Sequence, residues 1–314
     1  MSDGFVSPGK RFTDRYLQVM FSSLRDATPE QVQEELELCR NINRKPVRVP
    51  RYFKKSFSET SFKAANGFNM QVFSTPHYPK GGDGLVLYLH GGACIYQPVF
   101  FHWRFVHDLA VRTHDVFLMP IYPKAPEYQC AFNMEVMMDF YEREVLPRKA
   151  KRVILMGDSI GACIALTMAQ EIHRRGWTPI NGLVMVSPSV DITYPRVDQM
   201  MAIQPLDTML KLDRIQTLMN LWRGDLPANH PWASPIYGDL TCLPERTVLV
   251  YGGHEILKVD AEMLVEKLQQ LGRPIFAKEY DGMFHTFPMF PVKEGFDAIR
   301  EIVRRTGPEK PRRS

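Results

Sequence analysis

Cysteine is scarce and poorly placed. Cys39, Cys94, Cys130, Cys163 and Cys242 are odd in number, scattered, and form no CxxC pair. That excludes a disulfide framework and a cysteine zinc site, and makes a reducing compartment the expectation. The nine histidines supply no HxxxH-type pair on a plausible helix, so neither a metal nor a cofactor is expected. No apolar run approaches the roughly 20 residues that cross a bilayer. Asp3, Lys10, Arg11, Asp14 and Arg15 stand where a secretory signal would carry its apolar core. Net charge is only +4. The basic clusters, Arg44-Lys45 to Lys54-Lys55 and Lys310 to Arg313, are interrupted and lack interleaved aromatics, so they read as solvated surface. The expectation is a cytoplasmic protein with no nucleic-acid and no membrane partner. Linkers of Gly/Ser or Pro runs and internal repeats are also missing. With 314 residues, 45% of them hydrophobic, the chain suits one large α/β domain over residues 1–314.

What is present is an alternation of strands and helices. Strand-like segments lie near 49–57, 60–64 and 69–74, with an Asn66-Gly67 turn between the last two. Further strands are expected at Leu85–Leu89, Asp115–Met119, Arg152–Met156, Gly182–Val186, Thr247–Tyr251 and Ile275–Glu279. Helices are expected near 101–113, 131–145, 259–271 and 291–305. This order implies a mostly parallel sheet with helices on both faces.

Two regions do not fit a bare sheet. Residues 12–25 carry Phe12, Tyr16, Leu17, Met20, Phe21 and Leu24 on one helical stripe. A second helix follows, with Thr28 as N-cap, Pro29 at N1 and Gln31 at N3, a capping-box arrangement. Between Pro188 and Thr247 the alternation breaks, and a helix Asp207–Trp222 presents Met209, Leu212, Ile215, Met219 and Trp222 on one face. The expectation is a helical cap built from 1–45 and the insertion 190–235, lying over the C-terminal edge of the sheet, where α/β proteins bind ligands.

The centre of the chain is Arg152 to Gln170. A short apolar strand stops at Gly157-Asp158-Ser159-Ile160-Gly161, and a helix of small residues follows. Strand, G-x-S-x-G, helix is a nucleophile elbow. The turn holds the serine in strained backbone, and a Cβ at either glycine would clash. Alone the pentapeptide is a weak signal; its flanks and the order of other residues give it weight.

A serine hydroxyl needs a base, and the base needs an orienting acid. On this fold they follow in the order serine, acid, histidine. Of the later histidines, His173 lies in the elbow helix, His230 in the insertion, and His254 at the acid position. His285, in the loop after the last strand, is the expected base. Glu255, just past strand Thr247–Tyr251, is the expected acid; Asp260 is expected to lie already in the next helix. The oxyanion needs preorganised N–H donors. Gly91 and Gly92, after a buried strand, and Ile160, at a helix N-terminus, are the candidates.

These segments resemble the hormone-sensitive-lipase-like (family IV) α/β-hydrolase esterases. The family's HGGG appears as His90-Gly91-Gly92-Ala93, YRLAPE as Tyr122-Pro123-Lys124-Ala125-Pro126-Glu127, and GDSAG as the elbow. Ser187–Thr193, Ala233-Ser234-Pro235, Leu243-Pro244, the Gly-x-x-acid segment ending at Glu255, and Gly282-Met283-x-His285-x-Phe287 match as well. Ala93, Lys124 and Ile160 depart from the pattern. The resemblance implies an α/β-hydrolase fold with an eight-stranded sheet and a helical cap partly from the N-terminal helices. It implies a serine carboxylesterase acting on short- to medium-chain acyl esters. An amidase or formamidase on the same triad is the alternative; a catalytically inactive ligand-binding relative is a third reading. The expected partner is a small-molecule ester, with a homodimer left open as an assembly.

Overall fold

Leucine- and valine-rich runs build the middle of the sheet. The computed structural model describes residues 28–77 and 84–307. Eight strands run β1 (Ser58–Lys63), β2 (Asn69–Ser74), β3 (Gly84–Leu89), β4 (Val116–Pro120), β5 (Arg152–Asp158), β6 (Gly182–Val186), β7 (Thr247–Gly252) and β8 (Phe276–Tyr280). They lie in the order β1-β2-β4-β3-β5-β6-β7-β8. β1 and β2 are antiparallel, as are β2 and β4; every other pairing is parallel. The strands β3, β6 and β7 are buried along their whole length, as a parallel sheet covered on both faces requires.

Alternate residues feed two cores. Leu85, Leu87 and Leu89 face one way, with Leu155, Leu183, Met185 and Leu249. Val86 and Tyr88 face the other, with Ile154, Met156, Val184 and Val248. Helices α1 (Pro29–Asn43), α2 (Phe100–Thr113), α3 (Cys130–Phe140), α4 (Ile160–Arg174), α5 (Val197–Ile203), α6 (Leu212–Arg223), α7 (Lys258–Gln270) and α8 (Lys293–Thr306) complete the described chain. Trp103, Phe105 and Leu109 of α2 and Ile299 and Ile302 of α8 fill the second core. Buried residues of α3, α4 and α7 fill the first.

The register places all the loops of interest on one edge. Leu89 pairs with Gly157, Asp158 with Val186, Val186 with Val250, and Gly252 with Tyr280. The segments starting at His90, Ser159, Ser187, Gly253 and Asp281 therefore leave the sheet side by side.

Two sequence expectations meet the structure differently, and a third falls outside the described residues. Residues 49–57 are not a strand. After Pro50 the chain makes a single 3-10 turn, Arg51–Phe53, and Phe53 and Phe57 are buried. Their rings pack on Phe100 (5.2 Å) and Trp103 (5.0 Å), so burial against α2 wins over a ladder. The insertion holds two helices, α5 and α6, where one was expected. Asp207 accepts from the N–H groups of Met209 (2.9 Å) and Leu210 (2.8 Å). Such local bonding competes with helix, and α6 begins only at Leu212. The stripe over 12–25 lies outside the described residues. The next helix forms as expected: Gln31 N–H donates to Thr28 Oγ1 and Thr28 N–H to Gln31 Oε1.

The elbow glycines are close approaches. A Cβ on Gly161 would lie 2.0 Å from the Leu89 carbonyl oxygen, and one on Gly157 would lie 2.3 Å from the Gly161 backbone. Neither neighbour is a flexible side chain. Gly161→Ala is expected to lower unfolding free energy by about 3 kcal/mol, the upper end for overpacking. Urea unfolding followed by tryptophan fluorescence measures this; a change under about 0.5 kcal/mol, the size of an ordinary surface substitution, would refute it.

Candidate active site

The backbone at Ser159 is forced. Its φ is 53° and ψ −124°, a region that non-glycine residues seldom occupy. Such conformations persist only where the surroundings over-determine them. Here Ser159 N–H donates to Val186 O (2.9 Å), and Ser159 O accepts from Ser189 N–H (3.3 Å). Asp158 and Ile160 on either side are each 1% exposed, whereas Ser159 is only half-buried. The hydroxyl thus stands open at the start of α4, where the helix dipole favours negative charge.

Asp158 joins the elbow to the neighbouring loop. Its Oδ1 accepts from Tyr88 OH (2.5 Å) and from Gly91 N–H (2.9 Å), and its Oδ2 lies 3.5 Å from His102 Nε2. Gly91 therefore holds the loop in place, and its amide is already engaged. The N–H groups of Gly92 and Ile160 have no acceptor among the described residues. His90 is buried, stacked on Tyr122 at 4.6 Å, with Nδ1 against Gly91 O. Gly92 (φ 111°), Ala93 (φ 54°) and Cys94 (φ 54°) then form a left-handed turn, with Ile95 and Tyr96 N–H both donating to Gly92 O.

His285 and Glu255 come together at the adjacent strand ends. His285 Nδ1 lies 2.5 Å from Glu255 Oε2, and Glu255 Oε1 accepts from Gly252 N–H (2.7 Å). Both side chains are buried. This carboxylate selects the tautomer with Nδ1 protonated, leaving Nε2 unprotonated and able to accept a proton. Burial, the largest single influence, opposes a charged ring, but the Glu255 carboxylate with Asp207 and Asp158 together raise the His285 pKa. The histidine loop is fixed to the elbow's own support. Thr286 N–H donates to Ser187 Oγ (3.0 Å), and Ser187 follows directly on Val186, which holds Ser159. Ser159 Oγ makes no hydrogen bond among the described residues. Catalytic hydrogen bonds commonly tighten only once substrate is seated.

Asp260 sits elsewhere. It lies in α7 and accepts from Val190 N–H (2.7 Å) and Asp191 N–H (3.1 Å), with burial pushing its pKa up to about 7. His173 lies 4.0 Å from Asp239, and His230 accepts from Trp232 N–H, both away from this edge.

Two features escaped the sequence reading. Asp207 Oδ2 accepts from Ile256 N–H (2.8 Å), tying the insertion to the residue after Glu255. Arg214 on α6 pairs with Glu35 on α1, and both bond Tyr96, which follows the Gly92 turn. Only the capping helix of Glu35 and the apolar stripe of Arg214's helix were visible as patterns. The pairing was not.

Residues 86–289 match the alpha/beta hydrolase fold family. The chain belongs to that family. Its His90-Gly91-Gly92 and Gly157-Asp158-Ser159 segments resemble those of the hormone-sensitive-lipase-like esterases. An esterase of Acinetobacter venetianus is 30% identical over 208 residues, which cover 66% of this chain and 68% of that one. Among solved structures, a putative esterase from Staphylococcus aureus superposes with TM-score 0.82 at 26% identity, covering 90% of this hydrolase and 95% of that chain. An esterase described as of the bacterial hormone-sensitive lipase family superposes with TM-score 0.77 at 22% identity, over 98% of this chain and 100% of that one, a likeness of fold. In this hydrolase, no helix among the described residues is long and apolar enough to cross a membrane.

Proposed function

We propose that this α/β-hydrolase is a serine carboxylesterase, with Ser159 as nucleophile, His285 as base and Glu255 as the acid that orients it. The observation that carries the reading is the buried 2.5 Å contact between His285 Nδ1 and Glu255 Oε2, on the sheet edge that holds the strained Ser159. His285 Nε2 takes the hydroxyl proton as Ser159 Oγ attacks the ester carbonyl carbon. The oxyanion is met by the N–H groups of Gly92 and Ile160, with Gly91 fixing the loop through Asp158. The tetrahedral intermediate collapses, the C–O bond to the alcohol breaks, and His285 returns the proton to the leaving oxygen. Water, deprotonated by His285, then attacks the acyl-enzyme carbonyl, the bond to Ser159 Oγ breaks, His285 returns the proton to Oγ, and the acid is released.

An amidase would use the same groups and differ in protonating a poorer leaving group. A ligand-binding relative is disfavoured because the histidine and acid are both retained and already bonded. The acyl chain is taken to lie under a cap formed by 1–45 and 190–235. Support comes from the Glu35–Arg214 pair joining α1 to α6, and from Leu212 and Met200 packing with Ile256 and Leu257 beside the acid. A covered pocket has finite depth, so acyl chains of about two to eight carbons are expected to be preferred. A series of p-nitrophenyl esters from acetate to palmitate, run beside matched anilides, tests this. The expected profile falls steeply beyond about eight carbons, with anilides slower throughout. A maximum at palmitate would overturn the chain-length reading, and faster anilides the esterase reading.

A further inference from the structure

Three consecutive left-handed residues follow Gly91, and two of them, Ala93 and Cys94, carry a Cβ. Left to itself this backbone would relax to an ordinary region and carry the Gly92 N–H with it. Something must hold it. From the sheet side, Ala125 N–H donates to Cys94 O (2.8 Å). The remaining restraints come from outside the sheet. Asn43, at the end of α1, donates from Nδ2 to Ile95 O (2.8 Å). Tyr96 OH donates to Glu35 Oε1 (2.5 Å) and accepts from Arg214 Nη2 (3.2 Å), while the same Nη2 pairs with Glu35 Oε2. The Arg214 and Glu35 side chains are 10% and 15% exposed, so the group is largely removed from water. Tyr96 in turn donates its N–H to Gly92 O (2.9 Å), and a Cβ on Gly92 would lie 3.1 Å from Tyr96 O. The turn is thus gripped at its far end by α1 and α6 together.

We propose that Tyr96, Glu35 and Arg214 are positioning residues that set the Gly92 N–H for the oxyanion, so that seating of α1 and α6 over the sheet completes the oxyanion hole. The inference rests on the esterase reading above. Arg214 Nη1 is buried with no acceptor among the described residues. An unpaired buried donor costs stability, so the grip is weaker than its other bonds alone would make it.

The test is Tyr96→Phe, which keeps the ring and removes both phenol hydrogen bonds. Outright loss of an oxyanion donor costs about 10²–10³-fold in kcat, and a misplaced one should cost less. Tyr96→Phe is expected to lower kcat for p-nitrophenyl butyrate by about tenfold or more, with KM within about twofold and thermal stability close to the parent's. Arg214→Lys, which keeps charge but loses the fork, should fall in the same direction. Glu35→Gln, which still accepts from Tyr96 OH, should fall least. A second readout is phosphorylation of Ser159 by diethyl p-nitrophenyl phosphate. There Oγ–P forms, the bond to p-nitrophenolate breaks, and the phosphoryl oxygen occupies the same hole. Its rate should drop in Tyr96→Phe in parallel with kcat. An unchanged kcat and labelling rate, a change in KM alone, or a lowered melting temperature with parent-like turnover below it would each overturn the proposal. A dead Ser159→Ala beside an unchanged Tyr96→Phe sinks the positioning role alone. A fully active Ser159→Ala sinks the esterase reading and this inference with it.

Discussion

Ser159→Ala is expected to abolish turnover of p-nitrophenyl butyrate, with kcat falling by about 10⁶, the loss seen when a triad nucleophile is removed. The fold should survive the change. Ser159 Oγ has no hydrogen-bond partner among the described residues to lose, and the Ser159 N–H bond to Val186 O is a backbone bond that alanine keeps. Alanine also tolerates φ 53° no worse than serine does. A rate about 10³–10⁴-fold above that in water is compatible with the assignment, because the oxyanion donors remain. Rates with and without the substitution, beside circular dichroism and melting curves, decide it. A native spectrum with turnover near the parent's would remove Ser159 from the reaction.

Glu255→Gln is expected to cost about 10⁴-fold in kcat, as loss of the orienting carboxylate does. Asp260→Asn should cost far less. Asp260 serves the backbone of Val190 and Asp191, and an asparagine oxygen can still accept from those amides. The pH profile separates the two further. Only neutral His285 can accept the serine proton, so activity in the parent is lost as pH falls through the His285 pKa. Burial lowers that pKa, but Glu255, with smaller help from Asp207 and Asp158, raises it on balance, so the acid limb should lie above the ordinary histidine value of about 6.5. Once Glu255→Gln has exchanged the carboxylate for an amide, burial dominates, and the limb moves to lower pH while the plateau collapses. In Asp260→Asn the limb should stay. If Asp260→Asn is the more damaging change, or if the limb of Glu255→Gln does not move, Glu255 is not the acid.

The alternation of strands and helices was legible because β3, β6 and β7 are buried along their whole length and read as unbroken apolar runs. The elbow was legible because Gly157 and Gly161 are fixed by backbone, not by side-chain choice. Where the reading slipped, a tertiary contact outbid the local pattern. The aromatics Phe53 and Phe57 looked like strand residues and instead pack on α2. Asp207 looked like a helix start and instead turns the chain and reaches Ile256. Gly91 N–H donates to the carboxylate of Asp158, inside the elbow itself, a contact no spacing rule gives. The Glu35–Tyr96–Arg214 group was invisible for a plainer reason. Its members stand 61, 118 and 179 residues apart, and each by itself is an ordinary surface-type residue.

The edge where these loops emerge is completed late in the chain. In chain order the elbow, the left-handed turn and Glu255 all precede Tyr280, and His285 follows it. Thr286, which anchors the base to Ser187, comes later still. On the esterase reading, a chain that stops at Tyr280 holds the serine and the acid without the base that links them.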